Sequence, residues 1–493
     1  MPIAHGAEPL SAIPWLSDAL RAAQPAPDRT RGVEIAWLED VRPLGPGLLS
    51  AADAGLPEDL WAQASALRVR RLIEQVRGTG VVAARDLFRR LMITQLIVPR
   101  GSADASGVLL ARSERLVALG ALEEAQALLA ASGLTRIEAL RRSFDIALLT
   151  GQDQQACVDL LSHPRVAPTD AARIFCLAQR QEWRQAVLSL AVAREARTLS
   201  PAMAELLSRY LEVTETAPED RIALPQPVSP LVYRMLLAIG AGGAGTVDAG
   251  LPLAYAHLDL TSTAPPRARM LAAERLVASG GAPFPLLFAA YRAETPAASG
   301  GVWSRSATIQ KLDAALASEK RADIRAALAR ADRMLTPLGL RVALAREYAP
   351  ALAKLRPNAG GDARVAALLL LGDRVREASA WLSPAPDPQN RAVHAASAAL
   401  SGAPVPLTGG RFARAVAAAL SAQALQDPPE TLALILQDSR RGEALLIALR
   451  LLDAGPQIDP GDLTEALVVL RWLGLERCAR RIAAQTLLAA RAE

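Results

Sequence analysis

Three ten-residue segments of this 493-residue chain align without gaps: GALEEAQALL at 120–129, GQDQQACVDL at 151–160 and QEWRQAVLSL at 181–190. Each begins with a glycine or with Gln181, has an alanine five residues later and ends in leucine. A residue that leaves a helix in the left-handed conformation reverses the chain, and a small alanine lets the next helix pack closely against the first. The spacing therefore predicts helix–turn–helix hairpins repeated through residues 104–195.

The rest of the chain from Trp61 onward has the same helical character, with a break predicted at 78–80. Apolar residues recur at helical spacing, and no stretch shows the sustained alternation of a β-strand. Capping residues before prolines mark helix starts at Ser200-Pro201, Ser229-Pro230, Asp427-Pro428 and Asp459-Pro460. We therefore predict an all-α fold, an α-solenoid of antiparallel helical hairpins with an irregular N-terminal arm.

Composition divides the chain into five predicted parts. A Pro/Gly-rich arm with two short amphipathic segments precedes an N-terminal helical-repeat region, a linker, a middle helical region and a C-terminal helical-hairpin region. Their predicted bounds are 1–60, 61–213, 214–230, 231–355 and 356–493.

The hairpin pattern resembles the tetratricopeptide-like superfamily, in which a turn glycine is followed by a packing alanine. The resemblance covers 104–195 and continues more weakly at 364–382 and 467–490, where a glycine turn precedes Ala378 and Ala479. It implies stacked hairpins whose concave surface binds a peptide or a helix of another protein.

Two segments of the N-terminal arm place tryptophan among aliphatic residues at the spacing of a short helix. They contain Ile13, Trp15, Leu16 and Leu20, and Ile35, Trp37 and Leu38. One interpretation is that the arm folds back and caps the first hairpin, because terminal repeats need a cover. The other is that it docks into the groove of a partner protein.

The cysteines indicate the compartment, whereas the charged residues say little about partners. Only three of the 55 basic residues are lysines, and the net charge of +5 is small for this length. Cys157, Cys176 and Cys478 are odd in number and far apart, which predicts free thiols in a reducing compartment, with the first two as small core residues. No secretion signal and no apolar run long enough to span a bilayer is recognised. We therefore predict a cytoplasmic location.

Motifs for chemistry are weak in this sequence. Residues 240–245 satisfy G-x-G-x-x-G, but the residues before them begin with Ser-Pro and are typical of a helix, so we predict an interhelical loop. The four histidines are isolated, and no Cys/His group has metal-ligand spacing. We predict no catalytic residue, no metal and no cofactor.

The predicted function is that of a non-enzymatic scaffold, adaptor or assembly chaperone that binds a partner protein. Polar residues of the first helices are the predicted lining of its groove: Arg112, Arg115, Arg141, Arg142, Asp145 and Arg173. An arginine-lined groove favours an acidic segment of the partner. The stretches 251–260 and 297–316 resemble alanine-rich bacterial proteins associated with flagella, which implies a motility accessory.

Two alternative functions stay open. One is an enzyme whose cryptic pocket forms where residues 214–266 fold over the hairpins. The other is a nucleic-acid binder that uses the arginine-rich stretch 68–90 to contact phosphates. Arginines at that spacing are also typical of the solvent-facing side of a helix, where their aliphatic side-chain carbons cover apolar surface. This second interpretation is the simpler one.

Overall fold

The computed structural model describes most of the chain beyond the N-terminal arm. The described residues are 43–101, 105–133, 137–162, 169–212, 228–241, 245–246, 250–261, 263–296, 300–357, 360–383, 390–426, 429, 433, 435–436 and 438–489. The predicted docking arm, with Trp15 and Trp37, and most of the predicted linker 214–230 lie outside these residues.

The described chain is helical, which confirms the all-α class. Its α-helices are α1 (Ala51–Ala54), α2 (Ala66–Gln75), α3 (Val82–Ile93), α4 (Ala105–Ala118), α5 (Leu122–Ala131), α6 (Ile137–Leu149), α7 (Asp153–Ser162), α8 (Asp170–Gln179), α9 (Trp183–Glu195), α10 (Pro201–Leu211), α11 (Pro230–Ala238), α12 (Pro266–Ser279), α13 (Phe284–Ala293), α14 (Gly301–Ser318), α15 (Arg321–Leu335), α16 (Arg341–Leu352), α17 (Ala363–Leu371), α18 (Val375–Ser379), α19 (Arg391–Ser401), α20 (Gly410–Leu420), α21 (Arg441–Leu452), α22 (Pro460–Trp472) and α23 (Glu476–Ala489). The 3-10 segments are Leu253–Leu260, Thr336–Leu338, Gln423–Leu425 and Gly455–Gln457. In the described ranges, β-structure is limited to isolated bridges such as the one between Leu44 and Ile97. None of the helices in this part of the chain is long and apolar enough to cross a membrane.

The chain forms two compact units. One unit contains residues within 1–108, 282–286 and 345–493, and the other contains residues within 109–281 and 287–344. Each unit combines segments that are distant in the sequence, so packing between sequence neighbours alone builds neither of them.

The turns within the repeat have the conformation that the spacing predicts. Gly120, Gly151 and Gln181 have φ angles of 77°, 74° and 61°, all in the left-handed region. After each turn residue, the next backbone N–H donates to the carbonyl five positions earlier, at 2.8 to 2.9 Å. This is the Schellman hydrogen bond that closes a helix C-terminus. The alanine five positions after each turn residue is buried, as predicted: Ala125, Ala156 and Ala186.

The same turn recurs near the C-terminus on a wider range of residues. Gly474 is left-handed, with a φ of 79°, but after α17 the left-handed residue is Asp373, with a φ of 61°, and not Gly372. Ser439 adopts this conformation as well, with a φ of 55°. A buried alanine follows five positions later in each case: Ala378, Ala444 and Ala479. The packing alanine therefore marks these turns more consistently than the glycine does.

The helix starts marked by proline are confirmed where the structure describes them. Side-chain oxygens of Ser200, Ser229 and Asp459 each accept a hydrogen bond from a backbone N–H of the first helical turn. The proline that follows needs no partner, because it has no N–H to satisfy. The predicted start at Asp427-Pro428 lies outside the described residues.

The prediction that all three cysteines are free thiols is wrong. Cys157 on α7 and Cys176 on α8 form a disulfide, with their Cα atoms 4.9 Å apart, and both residues are fully buried. The two cysteines are 19 positions apart in the sequence, but α7 and α8 pack side by side and bring them into contact. Cys478 is the free cysteine. The cysteines therefore no longer support a reducing compartment.

In the first unit, early and late helices of the chain pack together: α2 lies against α21, and α3 against α23. The carboxylate of Asp453, which caps α21, accepts hydrogen bonds from the backbone N–H groups of Arg77, Gly78 and Thr79 at 2.6, 2.8 and 3.1 Å. Gly78 and Thr79 lie in the break between α2 and α3 that is predicted at 78–80, and Arg77 immediately precedes it. A side chain from the far end of the sequence thus satisfies the backbone where the helix stops.

Each unit also contains a buried carboxylate that is paired with arginine. Glu274 accepts from Arg305 at 2.6 and 2.7 Å and from the Tyr291 hydroxyl at 2.5 Å. Burial and the charge of Glu274 raise the pKa of Tyr291. In the other unit, Glu443 accepts from Arg440 at 2.6 and 3.0 Å. Removing either arginine would take away the main hydrogen-bond donor of a buried charge, which is destabilising.

We expect Asp453→Ala to lower the free energy of unfolding by about 2–3 kcal/mol, because three backbone donors lose a charged acceptor. Urea denaturation followed by circular dichroism measures the change. Asp462→Ala is the matched control, since Asp462 is an exposed carboxylate on α22. Equal effects of the two substitutions would show that Asp453 does not hold the α2–α3 break.

The disulfide gives a second prediction. Reduction should lower the stability of the folded protein by about 3 kcal/mol, the loop-closure value expected for a loop of this size. Peptide mapping without reductant should recover the linked peptides of Cys157 and Cys176. The Cys157→Ala/Cys176→Ala variant should not respond to reductant. Alkylation of both thiols in unfolded, unreduced protein would contradict the pairing.

Candidate protein-binding surface

The first helices of the hairpins carry residues that the sequence assigns to a groove. Arg112 on α4 is buried, with 3% of its surface exposed, and burial lowers the pKa of its guanidinium to about 9. Arg115 on the same helix is half-buried, whereas Arg141 on α6 and Arg173 on α8 are exposed. Arg112 therefore lines no exposed surface, and the two later arginines do reach solvent.

Arg142 and Asp145 belong to an ion-pair network on the surface of α6. Nη2 of Arg142 donates to Oε1 of Glu114 at 2.7 Å, and its Nη1 lies 3.9 Å from Oδ2 of Asp145. Burial raises the pKa of the Asp145 carboxyl, and the charge of Arg142 opposes that rise. An acidic partner would compete with these carboxylates for Arg142. Partly exposed pairs of this kind contribute at most about 1 kcal/mol, so such competition costs little.

One side of α6 is covered by the chain itself. α11 packs against α6 and α10, and the 3-10 segment Leu253–Leu260 packs against α6 and α12. Arg234 on α11 forms an ion pair with Asp153 at the start of α7. Burial raises the pKa of Asp153, and its hydrogen bond with Arg234 opposes that rise. Part of the surface of α6 is thus covered by α11 and by the 3-10 segment Leu253–Leu260.

The first hairpin turn is covered as well. Nε2 of His257 donates to the carbonyl oxygen of Gly120 at 2.6 Å, and the Ser279 hydroxyl donates to that of Leu119 at 2.9 Å. A Cβ at position 120 would lie 2.6 Å from Cδ2 of Leu276. Glycine is required there by both its left-handed backbone and this close approach. The turn belongs to the packed interior of its unit.

The glycine-rich motif follows a helix, as the sequence predicts. α11 ends at Ala238, and Gly240 after it is left-handed. Buried Asp259 accepts hydrogen bonds from both the backbone N–H and the hydroxyl of Thr246, each at 2.7 Å. A dinucleotide site needs a strand before the motif and a free acidic group after it. α11 stands where the strand would be, and Asp259 is engaged by the loop itself.

The arginines of 68–90 do not form one exposed stripe. Arg85 is buried, and the Arg68 guanidinium lies 3.5 Å from the carboxylate of Glu443. Nη2 of Arg90 donates to Sγ of Cys478 at 3.4 Å. These side chains are used within the unit, which weakens the nucleic-acid interpretation.

Helix α9 exposes four large apolar side chains. The exposed fraction is 48% for Trp183, 55% for Val187, 66% for Leu188 and 60% for Val192. The same helix packs against α8 and α10 through its buried residues. Those buried residues are Ala186, Leu190 and Ala193. α9 is therefore apolar on two sides, and the hairpins cover only one of them.

The repeat pattern identifies only the buried side of α9, through Ala186 and Leu190. The signal for the other side is an excess of apolar residues, because 183, 187, 188 and 192 fall outside the stripe that one buried face requires. Clustered apolar surface in solvent marks interaction sites. The exposed face of α9 is thus the candidate site, and the repeat pattern does not indicate it.

No family model, curated protein or solved structure matches this chain. In the residues that the structure describes, no group of three or more His, Cys, Asp and Glu side chains could hold a metal ion. The candidate site therefore rests on the geometry of this chain alone.

The covered hairpin turn generates a pH prediction. Burial lowers the pKa of His257 below its ordinary value of 6.5, although the hydrogen bond to Gly120 opposes this. Below about pH 6.5 the unfolded chain binds a proton at this residue that the folded chain does not. The free energy of unfolding should therefore fall as the pH falls from about 7.5 to about 5.5.

Urea denaturation across this pH range measures the effect, and His257→Gln is the matched variant because glutamine can still donate to Gly120. The difference in unfolding free energy between the two proteins should shrink steadily towards lower pH. A difference that does not change with pH would contradict the assignment.

Proposed function

We propose that this protein is a non-enzymatic helical-repeat scaffold or adaptor, and that the exposed face of α9 binds a helix of another polypeptide chain. The observation that carries the proposal is the exposed apolar surface of α9 around Leu188 and Val192, which lie one turn apart on the side opposite its buried face. Removal of such side chains from water is the dominant favourable term in most protein association. Apolar anchors spaced along one helix face are typical of helix recognition.

The architecture around α9 supports this proposal. We also propose that the hairpins of 105–195 are of the tetratricopeptide-like kind, with support from their left-handed turns and buried alanines. In that unit, α9 is held by α8 and α10, and the Cys157–Cys176 disulfide joins α7 to α8. A helix that is fixed before binding loses little conformational freedom when the partner arrives.

In this proposal, exposed arginines of the same repeat add selectivity. Arg141 and Arg173 lie in solvent on α6 and α8. Charged groups at the edge of an interface increase association rate and specificity more than affinity. In this proposal the apolar face of α9 supplies affinity, and the arginines favour a partner with an acidic segment.

Affinity capture followed by quantitative mass spectrometry tests the proposal, with the tagged full-length protein as bait in lysate of the source organism. Leu188→Asp should reduce the recovery of specific partners by about tenfold or more, because it places a charge in the centre of the apolar face.

The control is Val158→Asp, which makes the same kind of change at an exposed valine on α7. This variant should retain the partners. Circular dichroism of both variants checks that the hairpins stay folded. An identical set of partners with all three baits would contradict a role for α9.

A further inference from the structure

Two charged residues bracket the exposed apolar face of α9. Arg184 lies in the first turn of the helix, and Glu195 is its last residue. They are eleven positions apart, which is about three turns of an α-helix, so both project from the same side. Both are exposed, and neither forms an ion pair with another residue in the described ranges. The face therefore has a positive end, an apolar centre and a negative end.

The positions of these charges are unfavourable for an isolated helix. The N-terminus of a helix carries partial positive charge and the C-terminus partial negative charge. Arg184 lies at the end with partial positive charge, and Glu195 lies at the end with partial negative charge. A neighbouring helix that runs in the opposite direction would bring a counter-charge to both ends at once.

The apolar residues between the two charges continue the same seam. Arg184, Leu188, Ala191 and Glu195 follow one another at spacings of four, three and four residues, which is the spacing of the contact positions of a coiled coil. Val187 flanks this line and is exposed. The seam is about three turns long, enough for one helix–helix contact.

We propose that α9 binds α9 of a second copy of this chain in an antiparallel, two-fold symmetric pair. The inference rests on the proposed function and deepens it by naming the partner. A two-fold axis between positions 189 and 190 places Arg184 of each copy opposite Glu195 of the other. Every contact is then made twice, as in any two-fold interface.

The same register also matches the apolar residues. Leu188 of one copy lies opposite Ala191 of the other, so a large side chain meets a small one, as close packing requires. Val187 and Val192 flank this seam on opposite sides in each copy. Charge pairing and apolar packing thus select one alignment. A parallel pair would place arginine against arginine and glutamate against glutamate.

Sedimentation velocity of the purified full-length protein tests the pairing, over about 1 to 100 μM, the range in which a single helix–helix contact is expected to associate. The wild-type protein should shift from monomer to dimer across this range. Arg184→Glu alone and Glu195→Arg alone should each weaken dimerisation by about tenfold or more, because like charges then meet twice.

The decisive experiment mixes the two single variants. In the antiparallel register, the Arg184→Glu protein and the Glu195→Arg protein complement each other at both ends, so an equimolar mixture should form a heterodimer with wild-type affinity. Arg321→Glu, at an exposed arginine at the start of α15, is the control and should dimerise normally. All of these substitutions lie at the surface, and circular dichroism checks their folding.

Three results would overturn the inference: a wild-type protein that stays monomeric at the highest concentration, a dimer that is unaffected by either charge reversal, and a mixture that fails to recover. A monomeric protein that still loses captured partners on Leu188→Asp would end the self-pairing proposal but leave the adaptor proposal standing. If the partners are also unaffected, both proposals fail.

Discussion

The helical turns of this protein depend on one residue in the left-handed conformation. In that conformation the next backbone N–H can donate to a carbonyl at the end of the preceding helix, which closes the helix as the chain reverses. Gly120 meets this requirement without steric cost, and Gln181 meets it with a side chain that solvent accommodates. The alanine five positions later then fixes how close the second helix comes. The left-handed residue and the buried alanine occur together at 120, 151, 181, 373, 439 and 474, despite different residues at the turn.

Some of the arginines of the chain are used inside the fold. Buried carboxylates such as Glu274 and Glu443 need a planar cation that can donate two hydrogen bonds, and arginine supplies it better than lysine. Arg112 and Arg85 are themselves buried. Arginines that look like a binding surface in the sequence are therefore in part components of the core, and only those in solvent remain to meet a partner.

Parts of the repeat are covered by other segments of the same chain. α11 and the 3-10 segment Leu253–Leu260 cover one side of α6, and the turn at Gly120 is sealed by His257. A partner therefore has to contact a part of the repeat that the chain leaves in solvent. α9 has more apolar residues than one buried face requires. It packs against α8 and α10, and the disulfide joins α8 to α7.

The sequence by itself predicts the all-α class, the turns at Gly120, Gly151 and Gln181, the packing alanines and the helix starts marked by proline. Each of these depends on contacts within a few positions of the chain. The disulfide between Cys157 and Cys176, the capture of the α2–α3 break by Asp453, the burial of Arg112 and the exposure of Leu188 were decided only by tertiary structure. They depend on which helices become neighbours, and a pattern of single-helix faces does not specify that, because one apolar face can pack against many others.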